Sequence, residues 1–348
     1  MKADIIVDLQ YGDCGKGKVT HHLCKDGDYT HVIRYNGGCN AGHTIYHEGK
    51  KFITHHIPAG VFYGIKSIIG PGCVVNPDQF FKEIDELEEA GINTKGVVFI
   101  ANNAHVITSE HLEEDGKDNK IGTTKRGNGP AYRDKYGRKG LRAVEAPRLQ
   151  DYLIDVYDEL HVAPTKQRDK LSLDPKLHNC YEPIVLFEGA QGFGLDIDWG
   201  DYPYVTSSHC TSAAALLNGV PPQAVRKVWG VAKIYETYVG AKEFQPIDDV
   251  FNMIRHVGKE YGATTGRARQ CNWMNWNLLQ KAANISGVTD LVISKVDVLR
   301  HVNSWSVLND GEEISFESEN TMKTWITNKT AEMATKPALY FSESPNYI

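Results

Sequence analysis

The chain contains no long hydrophobic run. Nothing in its 348 residues approaches the ~18 consecutive apolar residues of a membrane span, so no membrane partner is expected. It has no C-x-x-C pair. Its seven cysteines (14, 24, 39, 73, 180, 210 and 271) are odd in number and scattered, which argues against a disulfide framework or a zinc ribbon and for reduced thiols. No H-E-x-x-H occurs among the fourteen histidines, and the adjacent pairs His21-His22 and His55-His56 do not share one face of a helix or strand. A basic excess is also missing. With 38 Lys and Arg against 44 Asp and Glu, the net charge is −6, unsuited to displacing counterions from a nucleic acid polymer. Met1-Lys2-Ala3-Asp4 leads into a short apolar stretch, too short for the core of a secretion signal, so a cytoplasmic location is expected.

Glycine, by contrast, is plentiful: 32 residues, about 9%, against a usual ~7%. Apolar residues make up 41% and charged residues 24%, so a packed core is expected. Ile5-Ile6-Val7, Ile68-Ile69, Val97-Val98-Phe99-Ile100, Ile184-Val185-Leu186-Phe187 and Leu291-Val292-Ile293 read as buried strands. Asn76-Pro77 opens a helix that Gly91 closes, with Phe80, Phe81, Ile84 and Leu87 on its apolar face. A second helix is expected through Leu149, Tyr152, Leu153, Val156, Tyr157 and Leu160. Residues 110–120 and 164–176 are polar and read as exposed loops or lids. Strands alternating with helices predict an α/β fold, a largely parallel central sheet flanked by helices. No stretch reads as a linker, so residues 1–348 are expected to form a single domain with long active-site loops.

The first strand runs into Gln10-Tyr11-Gly12-Asp13-Cys14-Gly15-Lys16-Gly17-Lys18-Val19. Gly12 and Gly17-Lys18 satisfy the G-x4-G-K part of a phosphate loop, in which glycines let backbone N–H groups face phosphate oxygens at a helix N-terminus. Position 19 is Val, where an ordinary phosphate loop holds magnesium with Ser or Thr, so Asp13 becomes the candidate metal ligand. A P-loop ATPase or kinase is the rival class, but Val19 speaks against it. A second glycine cluster, Asn36 to Thr44, brackets His43, a residue able to act as an acid near neutrality.

These segments resemble the adenylosuccinate synthetase family. Gln10–Lys18 and Asn40–Thr44 resemble its two N-terminal signatures, and further likenesses follow in order along the chain. They are Ile121-Gly122-Thr123-Thr124 with Gly129-Pro130-Ala131-Tyr132, Phe187-Glu188-Gly189-Ala190-Gln191-Gly192, Tyr202 to Ser208, Gly262 to Arg269, and Ser294-Lys295-Val296-Asp297. The resemblance implies a carbon–nitrogen ligase that joins aspartate to a 6-oxopurine nucleotide at the expense of ATP or GTP with Mg2+. It implies Asp13, His43 and Lys16 as catalytic residues. Asn40, Thr123, Thr124, Gln191, Thr206 and Val239 would bind the acceptor nucleotide, joined by Arg138 reaching across a homodimer. Thr264, Thr265, Arg267 and Arg269 would bind aspartate, and the two arginines suit its two carboxylates. Gly12, Gly15, Gly17, Lys18, Thr44, Lys295 and Asp297 would bind the triphosphate, and Asp13 with the Gly42 carbonyl would hold Mg2+.

Three departures from the family pattern stand out: Cys14 where an acid is usual, Cys39 for a common histidine, and Ala268 within an arginine run. The altered loop and the short chain resemble the phage-encoded branch of the family, which uses dGMP in place of IMP. Cys14 adjoins Asp13 and is expected near the base edge. Lys242-Glu243 departs from the pattern beside the ribose segment. These departures point to dGMP as substrate. An IMP-using adenylosuccinate synthetase is the alternative. In a Lys-x-Asp loop the Asp carboxylate accepts from guanine N1–H and its 2-amino group, which favours GTP, whereas the phage branch implies ATP.

Overall fold

The computed structural model describes residues 1–117, 122–163, 182–262 and 266–344. Among them a nine-stranded sheet forms the centre. Its order is Ala338–Phe341, Asp290–Ser294, Val225–Lys233, Lys2–Asp8, Ile184–Glu188, His31–Arg34, Lys66–Ile69, Val98–Ala101 and Leu153–Ile154, every neighbouring pair parallel. The continuous apolar runs are the cause: strand β1, Lys2–Asp8, is buried from Ala3 onward because both faces of the sheet are covered. Helix α1, Lys16–Asp26, follows β1 directly, and strand β2, His31–Arg34, returns to the sheet. A hairpin of strands β3, His43–His47, and β4, Lys50–Thr54, then lies against α1.

Helix α2, Pro77–Glu89, begins where Asn76-Pro77 predicts: the Asn76 side chain accepts the Gln79 N–H at 3.1 Å, and Phe80, Ile84 and Leu87 are buried. A continuous helix over 149–160 does not form. Pro147–Tyr152 is a 3-10 turn, Leu153–Ile154 pairs with Ile100 and Ala101 as the sheet's edge, and Asp158–Val162 closes a wide helical turn. The Asp155 carboxylate accepts the Asp158 N–H at 3.0 Å and starts that turn afresh.

Much of the expected loop over 110–120 is instead helical. Helix α3, Ser109–Lys117, packs on α4, Asn128–Tyr136, through a largely polar face. The His111 ring accepts the Thr108 N–H, and Asp115 accepts the Gly127 N–H at 2.8 Å, so apolar periodicity could not reveal the helix. The expected loop over 164–176 lies outside the described residues. A second sheet orders Tyr235–Tyr238, Gln270–Asn275, Ser306–Asn309 and Glu312–Ser315. No helix among the described residues is long and apolar enough to cross a membrane.

Candidate functional site

Parallel strands end on one edge of the sheet, and polar side chains gather there: Asp8, Arg34, Glu188, Lys233 and Ser294 each close a strand. Ligands of open α/β sheets bind outside these carboxyl ends. A cleft of 2070 Å³ opens at this edge. Its wall includes Gly12, Asp13, Gly15, Lys16, Gly17, Lys18, Asn40, Gly42, His43, Thr44, Thr123, Thr124, Gln191, Thr206, Val239, Arg267, Arg269, Lys295 and Asp297. Residues 230 or more positions apart in sequence thus share one surface. Arg138 is not on that wall. It stands exposed, with φ 60, in the turn after α4. Thr264 and Thr265 lie outside the described residues.

The phosphate loop is built around a carboxylate. Asp8, 1% exposed, accepts the N–H groups of Gln10 at 3.0 Å, Gly12 at 3.2 Å and Cys14 at 3.0 Å, and the Lys16 ammonium at 3.0 Å. Lys16 also donates to the Gln191 carbonyl, tying this loop to the one after Glu188. Asp13 sits at the turn with φ 59, a conformation in which short polar side chains are the ones tolerated. Lys18, also on the cleft wall, donates to the Ser342 hydroxyl and to the Ser344 carbonyl at 3.2 Å. Burial lowers its ammonium to about 8. Cys14 is buried beside Asp13 on the cleft lining, its thiol directed at Gln10 Oε1 (3.1 Å) and the Gly12 carbonyl (3.4 Å).

His43 is held by two residues, Glu188 and Arg34, for which no role was expected. Its Nδ1 is in a short hydrogen bond to Glu188 Oε1, and Arg34 donates to the same carboxylate oxygen at 2.9 Å. Burial and the Arg34 charge push the imidazole down to about 4, so the ring is neutral at pH 7 with its proton on Nδ1. Burial would raise Glu188, but Arg34 and His43 hold it at about 2. His43 Nε2 is buried without a partner, so its lone pair is unsatisfied. Nearby, Asn40 Oδ1 accepts from the side chains of Asn128 (2.6 Å) and Gln191 (2.9 Å), while Gln191 Oε1 is buried without a partner. Such unsatisfied buried atoms are costly unless a ligand completes them.

The two arginines separate. Arg267 donates to the Gly240 carbonyl at 3.1 Å. Arg269 reaches the Asp13 carboxylate at 2.8 Å and, with its other terminal nitrogen, Glu260. Burial opposes the charge, yet Asp13 and Glu260 keep the guanidinium above its ordinary range. Glu260 is 1% exposed. Burial would raise it, but Lys233, Arg269 and Lys295 hold it at about 2. For a metal, the Asp13 carboxylate, 40% exposed, and the Gly42 carbonyl offer hard oxygen donors. Mg2+ takes one or two carboxylates plus substrate phosphates, so this sparse set fits it. No cluster of three or more His, Cys, Asp or Glu side chains that would form an all-protein cage occurs among the described residues.

A parallel sheet whose first strand opens a glycine loop onto such a cleft defines an α/β enzyme that handles nucleotide phosphates. The particular family follows from comparison. The adenylosuccinate synthetase model matches residues 5–174 and 176–329, and the chain belongs to that family, a family of carbon–nitrogen ligases. It is 37% identical to the adenylosuccinate synthetase of Chlorobium chlorochromatii over 94% of this chain and 88% of that protein, and 38% identical to that of Staphylococcus epidermidis over 90% and 83%. The solved structure of fully ligated adenylosuccinate synthetase from Plasmodium falciparum superposes with TM-score 0.82 at 25% identity, covering 99% of this chain and 98% of that one. Succinoaminodeoxyadenylate synthetase of cyanophage S-2L, solved with dGMP and with dATP as energy donor, shares the fold with TM-score 0.72 at 21% identity, covering 99% and 93%.

Proposed function

We propose that this ligase condenses L-aspartate with C6 of dGMP, driven by ATP or GTP, to give N6-succino-2-amino-2'-deoxyadenylate. The neutral Cys14 thiol, bonded within its own loop to Gln10 Oε1 and the Gly12 carbonyl, is the observation that supports dGMP. It leaves no second carboxylate at the position after Asp13, where the family usually has an acid, and so leaves room beside the catalytic residue for a 2-amino group. The shared fold of the cyanophage enzyme, solved with dGMP, is in keeping with this reading.

Asp13 takes the proton from purine N1, which makes O6 nucleophilic. The O6–P bond forms as the γ-phosphoryl leaves the diphosphate. The aspartate amine then forms the C6–N bond, and phosphate departs with O6. Lys16 neutralises the transferring group once it exchanges the Gln191 carbonyl for phosphate oxygens. His43 Nε2 faces the leaving diphosphate. A phosphate anion favours imidazolium, and the Glu188 carboxylate behind Nδ1 shares that charge. Asp13 and the Gly42 carbonyl would hold Mg2+, which would supply further charge neutralisation. Asn40, Thr123, Thr124, Gln191, Thr206 and Val239 hold the acceptor nucleotide. Arg267 and Arg269, with Thr264 and Thr265, hold aspartate. Lys295 and Asp297 read the donor base, and Gly12, Gly15, Gly17, Lys18 and Thr44 hold its phosphates. The setting is the cytoplasm.

The test is aspartate-dependent phosphate release with dGMP or IMP and either triphosphate. Turnover with dGMP supports the proposal, and turnover with IMP alone overturns it. The IMP reading is favoured by the bacterial relatives, named adenylosuccinate synthetase at 37–39% identity. We also propose a homodimer in which the exposed Arg138 completes the partner's site. Activity should fall on dilution through the dissociation range, and a fully active monomer would exclude this role.

A further inference from the structure

We propose that Glu260 is a positioning residue that couples the aspartate site to the donor-base loop. One buried carboxylate orients Arg269 on one side and Lys295 on the other. The inference rests on the reading of Arg269 as an aspartate ligand.

Glu260 stands just after the end of the helix Asp249–Gly258 and is buried among partners of one sign. Oε2 accepts from Lys233 at 2.9 Å and from Arg269, Oε1 accepts from the Tyr235 hydroxyl at 2.7 Å, and the Lys295 ammonium lies 3.9 Å from Oε1. These cations differ in what they face. Lys233 is 1% exposed and is also bonded to Thr237 Oγ1 at 2.7 Å, so it is a fixed internal counter-charge. Arg269 and Lys295 instead lie on the cleft wall.

Arg269 splits its guanidinium between two carboxylates, Glu260 and Asp13. If a substrate carboxylate replaces Asp13 at one terminal nitrogen, Glu260 still fixes the other, so the fork is aimed before aspartate arrives. The same replacement releases Asp13 for purine N1 and the metal. Lys295, with φ 67 at the start of the helix Val296–Val302, donates to the Gly258 carbonyl at 2.9 Å, two residues from Glu260. Moving the carboxylate therefore disturbs both loops together. Arg269 Nε is buried without a partner, so the guanidinium is held through its terminal nitrogens, one on Glu260 and one on Asp13.

The experiment is steady-state kinetics of the full-length enzyme with Glu260→Gln, which keeps shape and removes charge, beside Arg269→Lys. For Glu260→Gln we expect the KM for aspartate to rise about tenfold or more, the KM for the triphosphate to rise at least about threefold, and the KM for the 6-oxopurine nucleotide to change less than about twofold. A lower melting temperature with all three KM values unchanged would show a merely structural role and overturn the inference. If Arg269→Lys leaves the aspartate KM unchanged, the aspartate assignment of Arg269 fails. If Arg269→Lys raises it and Glu260→Gln does not, the coupling alone fails. Should Glu260→Gln not fold, Lys295→Met reads the same link from its outer end. A rise in aspartate KM of about threefold supports the coupling, and an unchanged value overturns it.

Discussion

At the scale of the residue, the proposed chemistry rests on two carboxylates of opposite setting. Asp13 is partly exposed on a left-handed turn, whereas Glu188 is fully buried behind His43. Asp13→Asn tests charge alone, because asparagine tolerates the left-handed backbone. Turnover should be lost with the melting temperature nearly unchanged, and near-native activity would exclude Asp13 as the base. Glu188→Gln removes the anion that supports a protonated His43. We expect kcat to fall about a hundredfold, with the limb of the pH–rate profile that requires protonated His43 moving to lower pH. A profile displaced upward would refute this pairing. Asp13, Lys16 and His43 were legible in the sequence because glycine spacing marks backbone that must approach a phosphate. Glu188 had no assigned role because it meets His43 across 145 positions; Asp8 and Glu260 had none because no motif spacing marks a carboxylate that accepts from loop amides or from cations on neighbouring strands.

At the scale of the element, the contact between α1 and the β3–β4 hairpin sets where His43 stands. A Cβ added at Gly17 would lie 3.1 Å from His43 Cβ, closer than carbon atoms comfortably pack. Alanine would favour helix α1 by up to about 1 kcal/mol relative to glycine. The two effects divide between observables. Gly17→Ala should leave the melting temperature unchanged or slightly raised while kcat falls about tenfold through displacement of His43. Undiminished kcat would mean that the hairpin yields freely. Five strands of the central sheet and α2 were legible because an apolar run or a capped amphipathic face is a local property. The segment 147–162 misled because its apolar residues recur at helical spacing yet serve three short elements, and α3 was hidden by its polar inner face.

At the scale of the molecule, buried titratable groups give stability opposing slopes with pH. His43 and His56, lowered by burial to about 4 and about 3, are neutral when folded. Their contribution is present above the unfolded value near 6.5 and is lost as pH falls toward the folded values. Glu236 behaves oppositely. Burial raises it to about 8, so the folded protein keeps its proton and loses stability as pH rises from about 4.5 toward 8. The melting temperature should therefore decline between pH 6.5 and 8 less steeply in Glu236→Gln than in the parent, and identical slopes would refute the assignment. The carboxylate at the heart of the phosphate loop carries a different consequence. Asp8 already supplies an internal anion to three loop amides and Lys16, so the loop is folded around a negative charge before any nucleotide arrives. Its ordering cost is met once, when the chain folds, and does not recur at each catalytic cycle. Slow hydrogen exchange is therefore expected at the Gln10, Gly12 and Cys14 amides whether or not nucleotide is added.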